Sequence, residues 1–433
     1  MDMSANGSPQ HPEHDVLIGQ EDSKSSDISF EDLNLSQDLL KGVYNCGYAK
    51  PSQIQALAVP RLLRDPPEHL IAQAQSGTGK TAAFSLAILS RIDFDNPSSQ
   101  AIVLSPTREL ARQIVDVIKN LAKFTPASIN KVIPESVPQI GLIEAQILIG
   151  TPGKLGDMIK RGRIDVSCVK MLVLDEADCM LEFQGFLQQI EIIKKLLPRT
   201  TQLIFFSATW DEAVFRFANS FVNKPATRIL MKSFQLSLTT VKQFYIDCES
   251  EDDRFQILVA LYGIMTIAQS IIFVKEREVA VRVAKRMTDS GHHVSFLHGH
   301  LTPDERDVVM DVFRSGRCKV LVTTNVLARG IDIDRVNVVI NYDLPVGKDN
   351  NADPITYLHR IGRTGRFGRL GISVNFVHSH SSFVIMNQIS EYHQCPILRI
   401  PTELDQRDGD TLQDRVDGRL ERMEAFIKGH LKT

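Results

Sequence analysis

Three short stretches carry residue types that together suit a nucleoside triphosphate. AQSGTGKT, residues 74–81, places Gly77 and Gly79 on either side of Thr78, immediately before Lys80 and Thr81. Glycines let the backbone curl so that its N–H groups and the next helix N-terminus face phosphate oxygens. A lysine there neutralises the β and γ phosphates, and a threonine hydroxyl reaches Mg2+. Ala74 stands where the strict pattern has its first glycine, and Gln75 and Ser76 complete the turn. DEAD, residues 175–178, follows the apolar run MLVL with three carboxylates in four positions. An Asp at such a strand end holds the metal and a neighbouring acid positions and deprotonates the attacking water, which assigns Asp175 and Glu176 those roles. A helix start that merely favours acids accounts for one carboxylate better than for three. YLHRIGRTGRFG, residues 357–368, interleaves Arg360, Arg363 and Arg366 with Gly362 and Gly365. Phosphoryl transfer needs positive charge on the far side of the γ-phosphate, and these arginines are the candidates. A basic turn facing solvent or RNA phosphate is the alternative. If the arginines reach the nucleotide, it is clamped between two parts of the chain, and closure depends on it.

Each stretch needs a strand to aim it. LIAQA (70–74), AIVLS (101–105), QILIG (146–150), MLVLD (171–175) and LIFFS (203–207) are continuous apolar runs ending in polar or glycine-rich turns. Continuous rather than alternating runs predict strands covered on both faces, hence a parallel sheet with helical crossovers. In such sheets ligands sit beyond the carboxyl ends of the strands. The theme restarts with IIFV (271–274), VSFLHG (294–299), KVLVTT (319–324), VVINYD (338–343) and GISVNFV (371–377). The fold class expected is α/β, two parallel-sheet domains in tandem. Residues 1–27 read as a disordered acidic tail, with six carboxylates against Lys24 alone. Domain 1 is assigned to 28–231, a linker to 232–241, domain 2 to 242–400 and a C-terminal helical extension to 401–433.

Bulk properties exclude little but agree. Of 433 residues, 43% are hydrophobic and 23% charged, which fits globular domains with cores of their own. No apolar stretch approaches the ~18–20 residues of a membrane span, and the first residues lack the order of a signal peptide, so no membrane insertion and an intracellular place are expected. Six scattered cysteines form no CxxC pair, and His292 and His293 sit in no metal-ligand spacing. A net charge of -3 gives no global case for nucleic acid, so such binding must use a local face.

In order, GYAKPSQIQ (47–55), AQSGTGKT, SPTREL (105–110), TPGK (151–154), DEAD, SAT (207–209), ARGID (328–332) and HRIGRTGR (359–366) resemble the motif series of the DEAD-box RNA helicases. The resemblance runs from about residue 28 to 400 and implies two RecA-like domains that use ATP and Mg2+. By that likeness Tyr48 stacks on adenine, Gln55 reads its edge, Lys50 belongs to the same motif, and Phe30 braces the loop. Thr81 and Asp175 serve the metal. Lys80, Glu176, His359, Arg363 and Arg366 serve catalysis. Gly330 and Asp332 meet the ribose, and Ser207, Thr209 and Asp178 couple the DEAD turn to RNA.

The same likeness places single-stranded RNA on Pro106, Thr107, Arg108, Thr151, Pro152, Gly153, Gln184, Gly185, Arg306 and Thr324. Such phosphate and 2′-OH contacts predict binding that is nearly sequence-independent but RNA-selective. The chain departs from the family where a Gly-Gly doublet is replaced by ESVPQIGLIEAQ with Gly141 alone, at Pro303 in place of Gln, and at Lys154 in place of Arg. The eleven-residue VGKDNNADPIT (346–356), with TTNVLARGID and QFYIDC, resembles the subfamily that remodels messenger ribonucleoproteins during nuclear export. That subfamily implies a monomer acting in cytoplasm and nucleus, at the cytoplasmic face of the nuclear pore. Its partners are a nucleoporin and an export activator with inositol hexakisphosphate. A slow nucleotide-gated RNA clamp, a DNA helicase and a small-molecule P-loop kinase are the rival readings.

Overall fold

The computed structural model describes residues 15–18, 28–74, 77–133, 141–182, 185–222, 225–231, 240–325, 333, 335–347, 349–365, 369–401 and 412–431. The chain divides into two compact units, Met1–Ser233 and Phe234–Thr433.

Unit 1 contains strands β1 (Asp15–Ile18), β2 (His69–Gln73), β3 (Ala101–Leu104), β4 (Ile129–Val132), β5 (Ile147–Gly150), β6 (Met171–Leu174), β7 (Gln202–Ser207) and β8 (Ala226–Met231). Its helices are α1 (Gln37–Asn45), α2 (Gln53–Leu62), α3 (Lys80–Arg91), α4 (Arg108–Leu121), α5 (Pro152–Lys160), α6 (Ala177–Glu182), α7 (Phe186–Leu196) and α8 (Glu212–Phe221). The strands pair in parallel in the order β1-β8-β2-β7-β6-β3-β5-β4. Because successive strand residues face opposite ways, the buried runs divide between two cores. Val103, Ile149, Val173 and Phe206 join the cluster beneath α1–α4. Leu104, Leu148, Leu174 and Phe205 join the one covered by α5–α8. Helix α4 shows the matching 3.6-residue pattern, burying Leu110, Ala111, Ile114, Val115, Ile118 and Leu121 behind an N-cap at Thr107.

Unit 2 repeats the plan with β9 (Val241–Asp247), β10 (Gln269–Phe273), β11 (Val294–Leu297), β12 (Val320–Thr323), β13 (Val336–Asn341), β14 (Gly371–Val377) and β15 (Leu398–Arg399). Its helices are α9 (Glu251–Ile264), α10 (Arg277–Asp289), α11 (Pro303–Arg314), α12 (Pro354–Ile361), α13 (His380–His393) and α14 (Leu412–Leu431). The seven-stranded order is β11-β12-β10-β13-β14-β9-β15, again parallel. Met423 and Ile427 of α14 are buried in the same cluster as Phe244 and Val374.

Several strands differ from the sequence expectation. β1 lies inside the segment read as a disordered tail, and its backbone pairs with Arg228–Met231 of β8. Three apolar residues in DVLI are hidden by the acidic average of the surrounding 27. β4, β8 and β9 were not anticipated because Lys131, Arg228 and Lys242 interrupt their apolar runs; β9 moreover begins at Val241, the last residue of the expected linker. The remainder of that linker, 232–239, lies outside the described residues.

Candidate nucleotide and RNA site

At the carboxyl end of β2 the chain turns through Gly77 and Gly79 at φ of 81° and 94°, the left-handed region that glycine enters without penalty. Space also demands glycine at 79. A Cβ there would lie 2.3 Å from Gln55 Nε2 and 3.0 Å from Ser52 Oγ. The Gln55 amide is engaged at both ends: Nε2 donates to the Gly79 carbonyl at 3.2 Å, and Oε1 accepts from Ser52 N–H at 2.9 Å in the capping box that starts α2. Thus the expected adenine reader is stitched directly to the phosphate-loop candidate. Phe30 is fully buried and meets Tyr44 edge-on at 6.4 Å, Tyr48 is half-buried against the same core, and Lys50 is exposed in the turn between α1 and α2.

Lys80 opens α3 and is buried, with its Nζ lacking a hydrogen-bond partner among the described residues. Asp175 follows β6 and is also buried. Burial pushes its carboxyl up to about 6, an effect that Lys80 opposes and that Glu176 and Asp178 reinforce. Its Oδ1 accepts the Glu176 N–H at 3.0 Å, and Glu176 itself sits at φ 50°, a conformation costly for a non-glycine residue. The Cys179 thiol donates to Glu176 Oε2 across 3.6 Å. A buried carboxylate with acid neighbours, beside an ammonium without a hydrogen bond, is a donor set that suits a divalent cation and a polyphosphate. Thr81, the other expected metal ligand, is half-buried on the first turn of α3.

Asp178 faces another way. Its Oδ2 accepts from both the N–H (3.0 Å) and the hydroxyl (2.9 Å) of Thr209, while Ser207 Oγ donates to the Thr209 carbonyl at 2.9 Å. The Ser207 carbonyl in turn accepts from Ala74 N–H at 2.9 Å. The DEAD turn, the SAT turn and the start of the glycine loop therefore form one hydrogen-bonded ledge. Further along this sheet edge Pro106 is buried, Thr107 caps α4, and Arg108 is half-buried. Thr151 precedes α5, whose first residue is Pro152. Gly153 lies so close to α7 that a Cβ would stand 3.2 Å from Gln189 Oε1, and Gly185 starts α7 at φ 84°. The parallel topology brings these turns to one end of unit 1.

In unit 2, His359 and Arg363 are buried on and just after α12, and Arg363 Nε donates to the His359 carbonyl at 2.9 Å. Arg306 lies on α11, and Thr324 follows β12. Pro303, which displaces the expected glutamine, occupies the first turn of α11, behind a capping box of Thr302 and Glu305. Gln75, Ser76, Gln184, Gly330, Asp332 and Arg366 lie outside the described residues.

The sequence reading missed the interior support of unit 2. Arg360 is almost fully buried. Its Nε (3.0 Å) and one terminal nitrogen (2.5 Å) both donate to Asn325 Oδ1, and the other terminal nitrogen donates to Asn341 Oδ1 at 3.0 Å and the Asp343 carbonyl at 2.7 Å. Asn341 continues to Asn375, and Asn375 to the Tyr357 hydroxyl. A polar residue closing one buried apolar strand (Asn341, in NYD) and another midway along its neighbour (Asn375, in VNF) were the signal available.

A family model described as DEAD/DEAH box helicase matches residues 52–217, and one described as helicase conserved C-terminal domain matches residues 253–368. An ATP-dependent RNA helicase, dbp5 of Schizosaccharomyces pombe, is 52% identical over 375 residues, covering 87% of this chain and 74% of its own length. The chain belongs to the DEAD-box ATP-dependent RNA helicases. Among solved structures, Saccharomyces cerevisiae Dbp5 bound to RNA and ADP BeF3 superposes with a TM-score of 0.83 at 46% identity, covering 90% of this chain and 99% of that one. A variant of the same yeast protein bound to Gle1 and IP6 gives 0.78 at 44% identity, covering 93% and 100%. The two RecA-like folds of this helicase and its use of ATP follow from that membership.

Proposed function

We propose that this helicase binds single-stranded RNA along the turns at the carboxyl ends of its strands and uses one ATP per cycle to release RNA, or protein riding on it. The hydrogen-bonded ledge from Ala74 through Ser207 and Thr209 to Asp178 carries this reading, because it ties the nucleotide turn to the turns assigned to RNA. Gln55 and Tyr48 take the adenine, with the Gln55 amide exchanging a local bond for the base edge. The backbone around Gly77 and Gly79 and the Lys80 ammonium bind the phosphates. Thr81 and Asp175 would hold Mg2+, which supplies charge neutralisation of the phosphates when bound. Glu176 orients the attacking water and takes its proton, while Arg363 and Arg366 of unit 2 offset charge on the transferring group. Thr107, Arg108, Gly153, Gly185, Arg306 and Thr324 grip the RNA backbone. The working division is domain 1 at 28–231, a linker at 232–241, domain 2 at 242–400 and a C-terminal helical extension at 401–433, whose Met423 and Ile427 pack in the core of unit 2.

The biological setting we assign is messenger ribonucleoprotein remodelling in export, at the cytoplasmic face of the nuclear pore. Support comes from yeast Dbp5, whose solved complexes include one with Nup159, Gle1, IP6 and ADP, at 43% identity and a TM-score of 0.67. Steady-state ATP hydrolysis with and without poly(U), alongside poly(dT), tests the core reading. Stimulation by RNA alone is expected; equal stimulation by DNA, or none, would overturn it.

A further inference from the structure

None of the six cysteines has a part in the chemistry as read from the sequence, yet one of them touches it. Cys179 stands on the first turn of α6, directly after the DEAD turn, and is fully buried. Its thiol donates to Glu176 Oε2 at 3.6 Å. Among the described residues no second hydrogen bond reaches the Glu176 carboxylate.

The backbone holds that thiol in place. The Cys179 N–H donates both to the Glu176 carbonyl at 3.0 Å and to Asp178 Oδ1 at 3.1 Å, which ties the residue to both acids. Ala177 and Met180 on either side are wholly buried in the cluster covered by α5–α8, so the short helix is fixed against the sheet. Glu176 is buried too and sits at φ 50°, and its carboxyl group turns on a torsion with a broad, two-fold preference. One hydrogen bond from a fixed donor selects an orientation there. The strength of the donor also suits the task. A lysine or arginine at this point would bind the carboxylate as a charged pair and compete with the water, whereas a thiol is a weak, uncharged donor that directs one oxygen and leaves the other uncommitted.

We propose that Cys179 is a positioning residue for hydrolysis: its thiol holds Glu176 Oε2 so that Oε1 faces the attacking water. The inference rests on the assignment of Glu176 as general base and deepens it by naming what aims that base. No step is added to the reaction. The water oxygen bonds to the γ-phosphorus, the bond from that phosphorus to the β–γ bridging oxygen breaks, and the water proton passes to Oε1, while the thiol keeps its own proton throughout. Since other residues bind nucleotide and RNA, the effect of the thiol falls on the rate of the chemical step and not on binding.

The experiment is single-turnover ATP hydrolysis by the full chain in excess over ATP, with saturating poly(U), which reads the chemical step apart from product release. Cys179→Ala and Cys179→Val both remove the donor, the second with little change of volume. Each is expected to slow the maximal rate about three- to tenfold while half-saturation moves less than about twofold. Cys179→Ser keeps a donor and should recover the parent rate to within about twofold. Thermal melting checks that each variant is folded. Parent-like maximal rates in the alanine and valine variants overturn the proposal, as does a loss confined to half-saturation or a serine variant no faster than the valine one. Combining Cys179→Val with Glu176→Gln tests the route of action: with the base gone the valine should add no further loss, and an added loss of the same size overturns the proposal, because the thiol then acts through another group. Glu176→Gln alone separates the two levels of the argument. A rate near the parent's means that the base itself is misassigned, whereas a slow Glu176→Gln beside unimpaired Cys179 variants sinks the positioning role alone.

Discussion

Replacing Asp175 by Asn should abolish ATP hydrolysis and yet raise the stability of unit 1 at neutral pH. The folded carboxyl keeps its proton up to about 6, against 3.8 as its ordinary value. Between those limits the folded state holds more protons than the unfolded one, so stability falls as pH rises through the window. The penalty is absent below about 3.8 and complete above about 6. Holding the charge at pH 7 against such a displacement costs about 3 kcal/mol. Asparagine is neutral, and its oxygen can still accept the Glu176 N–H. Some of the gain is returned because buried Lys80 loses a counter-charge, leaving about 1–2 kcal/mol. For a unit of roughly 200 residues this raises Tm by about 2–8 °C. Differential scanning calorimetry without nucleotide or magnesium, at pH 7.5 and again at pH 5, measures it. The gap between variant and parent should narrow on acidification as the native carboxyl gains its proton. A variant that melts below the parent at pH 7.5, or a gap unchanged at pH 5, would refute the reasoning.

Glu176→Gln removes the group assigned to proton abstraction while keeping its size, so kcat should drop by about 10²–10⁴; gel-shift assays should find RNA retained with ATP, and normal RNA release would contradict the cycle. Gly79→Ala puts a Cβ 2.3 Å from the Gln55 amide at φ 94°, which displaces that side chain or the loop. Its KM for ATP should rise at least about tenfold, since even a 1.4 kcal/mol loss of binding does that; an unchanged KM would mean that the two motifs are independent. Thr209→Ala deletes one of two bonds to buried Asp178. It should cost about 1–3 kcal/mol of stability and reduce RNA stimulation more than basal hydrolysis, as read by ATPase rates with saturating and zero RNA.

How far the sequence was legible depended on whether the signal was local. Strands such as MLVL and AIVL were readable because burial on both faces demands uninterrupted apolar residues, and glycine–lysine and DEAD turns because their chemistry is contiguous. The strands missed, β4 among them, carry a charge that breaks the run, and β4 lies at the sheet edge, where one side goes unpaired. Motif membership named Gln55 but not what it does within unit 1. That the amide locks Ser52 to Gly79 is a contact across 24 residues, set by the packing of α2 on α3. Arg360 was read as a nucleotide-facing candidate with Arg363, because both stand in one basic turn. Its depth depends on Asn325 and Asn341, brought to it by the topology of β12 and β13.

Comparing Lys80 with Arg360 shows why one of two buried cations is free to act and the other is not. Both sit at the carboxyl end of a parallel sheet. Arg360 spends its donors on two asparagine oxygens and a backbone carbonyl, and its guanidinium lies 4.9 Å from the centre of the Phe273 ring. Burial alone would make so deep a guanidinium costly, lowering its pKa to about 9 even with Asp343 and Asp353 acting in its favour. The neutral acceptors offset that cost without inviting a ligand, so the side chain acts as a post holding the turn after β12 to the helix that bears His359. Lys80 has the opposite arrangement: a buried ammonium with no hydrogen-bond acceptor among the described residues, beside a carboxylate that burial holds back from ionising. That unsatisfied pair is a standing cost to unit 1, and what relieves it must bring acceptors for the ammonium and a cation for the acid together. A magnesium-bound triphosphate does both, which fits this buried pair to a nucleotide site.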